Sequence, residues 1–263
     1  MRLWLVLLPL TAASGLFGQT DEGFPDITPE LRGGVMYPAS IEGALRRHGY
    51  ALERESLLRG LRDTNPQVRS MAADELAKMR ETEAAPAIQE ALSRETVIGT
   101  RVLMANALAE LGVEAGTTEL HAICEPSSTH FHARLVAAMD LLDRGDATCG
   151  DQVIEIVRTI GGFRLPTSAA LVGFGLSVIQ RAEPVFRPRA ADVRDLAATL
   201  LRDSRYEVRM AASNTLGRFG DAASITLLQE AAAEETSDVA RTRILANIRI
   251  LQDKLRAPAN GKQ

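Results

Sequence analysis

Aromatic residues are scarce in this chain, at 4% of 263 residues with a single Trp. Burial therefore rests on Ala and Leu, which suits closely packed helices, and strand signals are nearly absent. Charge of one sign is lacking too. The formal net charge is −4, with no basic block and no arginine stripe interleaved with stacking aromatics, which excludes nucleic acid as a partner. No G-x-S-x-G, H-E-x-x-H, glycine-rich phosphate loop or C-x-x-C-H run occurs, so no catalytic set and no cofactor site stands out. Beyond the first residues no segment is apolar enough to cross a membrane, since a spanning helix needs about 20 apolar residues.

What the chain does have is a repeat. Arg69, Arg101, Arg134, Arg209 and Arg241 are each followed seven residues later by an aliphatic residue: Leu76, Leu108, Leu141, Leu216 and Ile248. The first three arginines are 32 and 33 positions apart and the last two are 32 apart. Self-similarity at such a period marks a helical array. Six residues before each arginine stand Asp63, Glu95, Ser128, Asp203 and Glu235. That register places an acid in a turn and an arginine in the first turn of the next helix. The arginine fork can then hold a carboxylate and turn carbonyls together, within one repeat or between neighbours. These residues are read as a structural ladder.

The clearest copies are 57–79 and 200–221. In the first, Asp63-Thr64-Asn65-Pro66 breaks a leucine stripe, and Val68, Ala72, Ala73, Leu76 and Met79 then form one helical face. Asn65 suits an N-cap and Pro66 the first turn, where its missing N–H costs nothing. In the second copy Gly220 is expected to close the helix in the left-handed region.

The Leu-x-Asp-x-x-x-x-Val-Arg-x-x-Ala-Ala-x-x-Leu segment at 61–76 and its copy at 201–216, which has Ser213 in place of the second Ala, resemble HEAT repeats, in particular the short HEAT-like repeats of phycobilisome lyases. The resemblance covers about 52–253, weakly in the middle. It implies an all-α fold, a right-handed α-solenoid of about six helical hairpins, with Asp63/Arg69 and Asp203/Arg209 as inter-repeat structure. It specifies function poorly, because such arrays serve unrelated tasks.

From Arg134 to Arg209 is 75 residues, about ten more than two repeats need. A degenerate fourth repeat is expected, with helices near 151–160 and 167–179. The surplus, 180–189, contains Pro184 and Pro188 and is read as a solvated spacer. Residues 1–19 read as a secretory signal peptide: Arg2, apolar Leu3–Leu10, then Ala12-Ala13-Ser14-Gly15. Residues 20–40 read as a flexible linker, 41–255 as the array opened by a short capping helix at Ile41–Arg47, and 256–263 as a polar tail. The expected location is the bacterial periplasm or the exterior.

Export makes a Cys124–Cys149 disulfide conceivable, but Cys124 should end one helix and Cys149 follow the next. An antiparallel pair then separates them by roughly 15 Å, against a limit of about 7 Å between bridged Cα atoms. His121, Cys124, His130 and His132 form the one constellation with metal chemistry, of nitrogen and sulfur type suited to zinc or copper. Their spacing matches no closed zinc motif, Pro126 and two serines favour an open turn, and no metal is expected.

The resulting expectation is an exported, non-catalytic scaffold that binds an unidentified protein. In such arrays second helices line the concave side. Their solvent positions, five and nine residues after the arginines, hold Asp74, Asn106 and Asn214, then Lys78, Glu110, Asp143 and Arg218. The alternatives are an accessory subunit or lyase-like enzyme of the same family, and a metal-binding module at the third repeat.

Overall fold

The computed structural model describes residues 31–32, 35–36, 40–126, 130–163 and 166–256. The signal-peptide reading, most of the linker and the tail beyond Arg256 lie outside them. Within the linker, β1 (Leu31–Arg32) and β2 (Val35–Met36) pair antiparallel, Leu31 opposite Met36 and Arg32 opposite Val35. All other regular structure among the described residues is helical.

The helices are α1 (Ile41–Arg47), α2 (Arg54–Gly60), α3 (Pro66–Lys78), α4 (Ala85–Arg94), α5 (Ile98–Glu110), α6 (Glu114–Cys124) and α7 (Phe131–Asp143). They continue with α8 (Gly150–Gly161), α9 (Pro166–Arg181), α10 (Glu183–Phe186), α11 (Ala190–Leu200), α12 (Tyr206–Phe219), α13 (Ala222–Glu234) and α14 (Asp238–Arg256). They group into two compact units, residues 1–140 and 141–263, with the division inside α7.

In the first unit α3 packs on α1, α2 and α5, and α5 packs on α4 and α6. Asn65 caps α3 by accepting from the Gln67 N–H at 2.9 Å, and Pro66 occupies the first turn. The face of α3 holds Val68, Met71, Ala72 and Leu76, all essentially inaccessible, and Ala73 with them. Met79, expected on that face, is 41% exposed, because α3 ends at Lys78 and Met79 belongs to its cap.

The second unit repeats the plan. α8 pairs with α9, α11 with α12, and α13 with α14, while α9, α12 and α14 stack side by side. The arginine-free fourth repeat is thus present as α8 and α9. The 180–189 surplus is not a solvated spacer. It forms α10 and a 3₁₀ turn at Arg187–Arg189, and Phe186 is completely buried. Val185 and Phe186 lie close over Gly150 at the start of α8. Burying an aromatic ring contributes on the order of 2–3 kcal/mol, enough to anchor so short a segment.

Helix closure departs from expectation at one point. Arg80, Gly112 and Gly145 all follow second helices with positive φ of 57°, 77° and 83°. Gly220 does not. It is extended, at φ −64° and ψ 162°, and a Cβ there would strike the Leu216 carbonyl and the Leu251 side chain. Glycine is required there by close approach. Asp221 follows at once as the N-cap of α13, in a reciprocal capping box with Ser224.

Neither cysteine is free: Cys124 and Cys149 are both in a disulfide. The expected separation of roughly 15 Å requires Cys149 to lie at the end of α7. It is in fact the N-cap of α8, at the end of the connection 144–149. At about 3.3 Å per residue that connection can cover roughly 20 Å, so helix length does not set the separation.

Candidate functional site

The repeat arginines join neighbouring hairpins. Arg69 Nη1 donates to the carbonyls of Asp63 (2.8 Å) and Thr64 (3.0 Å) in its own turn. Its Nε and Nη2 reach Glu95 Oε2 at 2.8 and 2.6 Å in the next turn. Glu95 is buried, and its Oε1 accepts from the Thr96 and Val97 N–H groups, both at 2.9 Å. Arg209 does the same with the Asp203 and Ser204 carbonyls and with Glu235, at 2.7 and 2.5 Å. The Arg209 bonds hold the Glu235 carboxyl at about 2, well below its ordinary 4.5. In both joins the partners are 26 residues apart.

So the carbonyls come from the arginine's own repeat and the carboxylate from the next. This explains what Asp63 and Asp203 do. Twenty-six residues before them stand Tyr37 and Ser177, not arginines. Asp63 accepts instead from the Tyr50 hydroxyl (2.6 Å) and the Asn65 N–H (2.7 Å). Burial alone would raise its pKa, but these hydrogen bonds bring it below the ordinary value. Asp203 takes the Arg205 guanidinium at 2.7 and 2.8 Å. The expected Asp63/Arg69 and Asp203/Arg209 contacts therefore run through the backbone carbonyls of the two aspartates. Arg101 holds the Glu95 carbonyl at 2.8 Å and turns its fork to Glu119 on α6, at 2.9 and 2.5 Å. Arg134 is buried and donates to the Cys124 carbonyl at 3.2 Å. Arg241 holds the Glu235 carbonyl and lies 3.3 Å from Asp238.

Of the expected solvent positions, Asn106 on α5 is only 4% exposed, so it is no surface residue. Asn214 is half-buried and accepts from Asn247 of α14 at 2.9 Å, while Asn247 also donates to Ser213 at 3.0 Å. This amide ties α12 to α14. Asp74 pairs with Lys78 at 2.6 Å, and Lys78 also reaches Glu75 at 2.8 Å. Burial raises the Asp74 carboxyl and Lys78 opposes that; Glu75 and Glu110 add to the rise. Asp74 and Glu75, each with only 13% of its side chain exposed, thus share one ammonium, and Glu110 of α5 adds a third carboxylate nearby.

The other two positions, Asp143 and Arg218, do not stand alone either. Asp143 pairs with Arg181 at 2.5 Å, and Arg218 lies 3.5 Å from Glu183. Glu183 also meets Arg187, and Lys254 donates to the Arg218 carbonyl. Burial lowers the Lys254 pKa, and the nearby Arg187 charge lowers it further. A basic cluster results: Arg181, Arg187, Arg218 and Lys254 outnumber Asp143 and Glu183. The C-terminal ends of α9, α12 and α14 supply three of its cations, and the 3₁₀ turn that follows α10 supplies the other, near Glu183 of α10. Arg181, Glu183, Arg187 and Lys254 were missed from the sequence because none falls on a repeat position. The one available signal was the pair of prolines that marks the insertion.

Cys124 is committed to its disulfide and has no thiolate to offer. Burial pushes His132 down to about 4, so it is neutral near pH 7. Among the described residues no group of three or more His, Cys, Asp or Glu could hold a metal ion. No helix among them is long and apolar enough to cross a membrane.

The HEAT-repeat family model matches residues 54–139 and 178–249, together well over half of the sequence. The chain belongs to the HEAT-repeat family. Its matched segments include the arginine joins on both sides of the unmatched stretch. Among solved structures the chain is similar to one in the complex of CpcE and CpcF of phycocyanin lyase from Nostoc sp. PCC7120. That likeness has 20% identity, covers 85% of this chain and 100% of that one, and has a TM-score of 0.36. No curated protein matches the sequence.

Proposed function

We propose that this HEAT-repeat protein is an exported, non-catalytic scaffold that binds an acidic protein surface. The contact is the solvent side of its second helices in residues 141–263. The observation that carries this reading is the basic cluster of Arg181, Arg187, Arg218 and Lys254. Its cations outnumber the two carboxylates among them, and Arg187 and Arg218 keep about half of their side-chain surface in water. Arginine at a partly desolvated site binds carboxylates bidentately, which suits it to hot spots in protein interfaces. Export is supported by the N-terminal Arg2, Leu3–Leu10, Ala12–Gly15 pattern and by the Cys124 and Cys149 disulfide, a bond that persists in oxidising compartments.

The test is affinity capture from the exported fraction at two salt concentrations, with the wild type and with Arg187→Glu/Arg218→Glu. The expected result is one acidic partner held at low salt, weakened at high salt and lost from the double variant. Equal capture by both proteins would overturn the reading.

A further inference from the structure

Within the basic cluster one carboxylate is shared by several cations. Glu183 is the first residue of α10, in the insertion. Its Oε1 meets Arg187 four residues on, and its Oε2 lies 3.5 Å from Arg218 Nη1 on α12. The Lys254 ammonium is close enough to feel the charges of both Glu183 and Arg187. Three cations thus converge on a single acid. The Glu183 side chain is 22% exposed, so solvent and solutes reach it.

That arrangement is already the contact an acidic partner would make. A guanidinium donates in the same way to a carboxylate of its own chain or of another. Glu183 differs in being tethered, and a tethered group competes at an effective concentration of about millimolar order. Replacing it by one free carboxylate exchanges like for like, while the incoming molecule also loses its freedom of motion. A single acid therefore gains nothing. A segment that brings several carboxylates together does gain, because the others meet Arg181 and Lys254. Until it is displaced, Glu183 repels that segment.

We propose, resting on the acidic-partner reading above, that Glu183 is an internal stand-in for the partner's carboxylate. It occupies Arg187 and Arg218 in the free protein and reserves the cluster for a contiguous acidic segment over single acids. The insertion then sets the threshold for binding, with α10 held in place by the buried Phe186.

The experiment is fluorescence anisotropy of a labelled oligoglutamate peptide, titrated with the purified chain at low salt. Glu183→Gln keeps the side chain's size and an amide oxygen that still accepts from arginine. It is expected to bind the peptide about tenfold tighter than the wild type, one like-charge contact being relieved. Asp238→Asn changes the net charge equally, but in the first turn of α14, roughly 24 Å along the helix from Lys254. It is expected to bind like the wild type. N-acetylglutamate amide should displace the peptide from the wild type far less well than unlabelled oligoglutamate does at equal carboxylate concentration. Unchanged or weaker binding by Glu183→Gln would overturn the proposal. An equal gain from Asp238→Asn, or equal displacement by the single acid, would overturn it too. The acidic-partner reading fails on a different result, peptide binding by Arg187→Glu/Arg218→Glu as tight as that of the wild type.

Discussion

The two units share one join and differ in the face they show to solvent. Arg69 with Glu95 and Arg209 with Glu235 make the same contacts at the same 26-residue separation. In both, a buried carboxylate satisfies an arginine and the N–H groups of its own turn. Away from the joins, α3 and α5 gather the mostly buried Asp74 and Glu75, with Glu110, around Lys78, whereas α9, the 3₁₀ turn at Arg187, α12 and α14 present the arginine-rich cluster. The join is constrained because a carboxylate with no water near it must be paired. The solvent face carries no such requirement, so its charge can diverge from repeat to repeat and specify a partner.

If the joins are equivalent, Arg69→Ala and Arg209→Ala should each lower stability by about 3 kcal/mol, by leaving a buried carboxylate unpaired. Urea unfolding would show this, and a large inequality between the two would break the comparison. The second join also has a pH signature. With the Glu235 carboxyl at about 2 in the fold and 4.5 as its ordinary value, its contribution is complete above 4.5. It is lost as pH falls through 2, and Arg209→Ala should remove that dependence.

Reduction of the Cys124 and Cys149 disulfide should cost about 3 kcal/mol, seen as a lower melting temperature in thiol. Unchanged melting would mean that the bond adds little constraint.

A different pH window belongs to the first unit. His132 titrates at about 4 in the fold against an ordinary 6.5. The unfolded chain therefore takes up a proton that the folded one refuses. Stability from this residue is whole above 6.5 and falls as pH drops from there to 4, by up to roughly 3 kcal/mol. His132→Gln should flatten melting temperature against pH in that range, while Glu235 governs only lower pH.

The smallest effect concerns helix closure. Arg80 holds φ at 57°, where Gly112 and Gly145 serve the following repeats. Arg80→Gly should raise stability by about 1 kcal/mol or less, because glycine takes that conformation without a Cβ clash. A loss would show that the Arg80 side chain makes a contact worth more than the strain.

Much of the fold was legible in the sequence for a physical reason. Most hairpins solve the same packing problem, so Arg69, Arg101 and Arg134, and again Arg209 and Arg241, recur at one period, as do the acids six residues ahead of all of them but Arg134. Direction was not legible. Nothing in the offset says that Glu95 serves the arginine before it rather than the one after it. The exceptions, Asp63 with Tyr50 and Asp203 with Arg205, depend on what is missing 26 residues earlier. The surface was less legible still. Asn106 sits at a nominal solvent position and is buried, on a helix that packs against α3, α4 and α6. Apart from Arg218, the basic cluster is built from residues off the period, brought together by an insertion whose anchor, Phe186, carries no signal besides being aromatic.

The central claim is that binding resides in the basic cluster and stability in the joins. One measurement tests it most directly: the affinity of the captured partner for the wild type, Arg187→Glu/Arg218→Glu, Glu110→Lys and Arg69→Ala, each checked for folding. The account predicts a loss of about tenfold or more in the first variant. The other two should bind like the wild type, with Arg69→Ala less stable. Undiminished binding by the cluster variant, or lost binding in a folded Arg69→Ala protein, would contradict it.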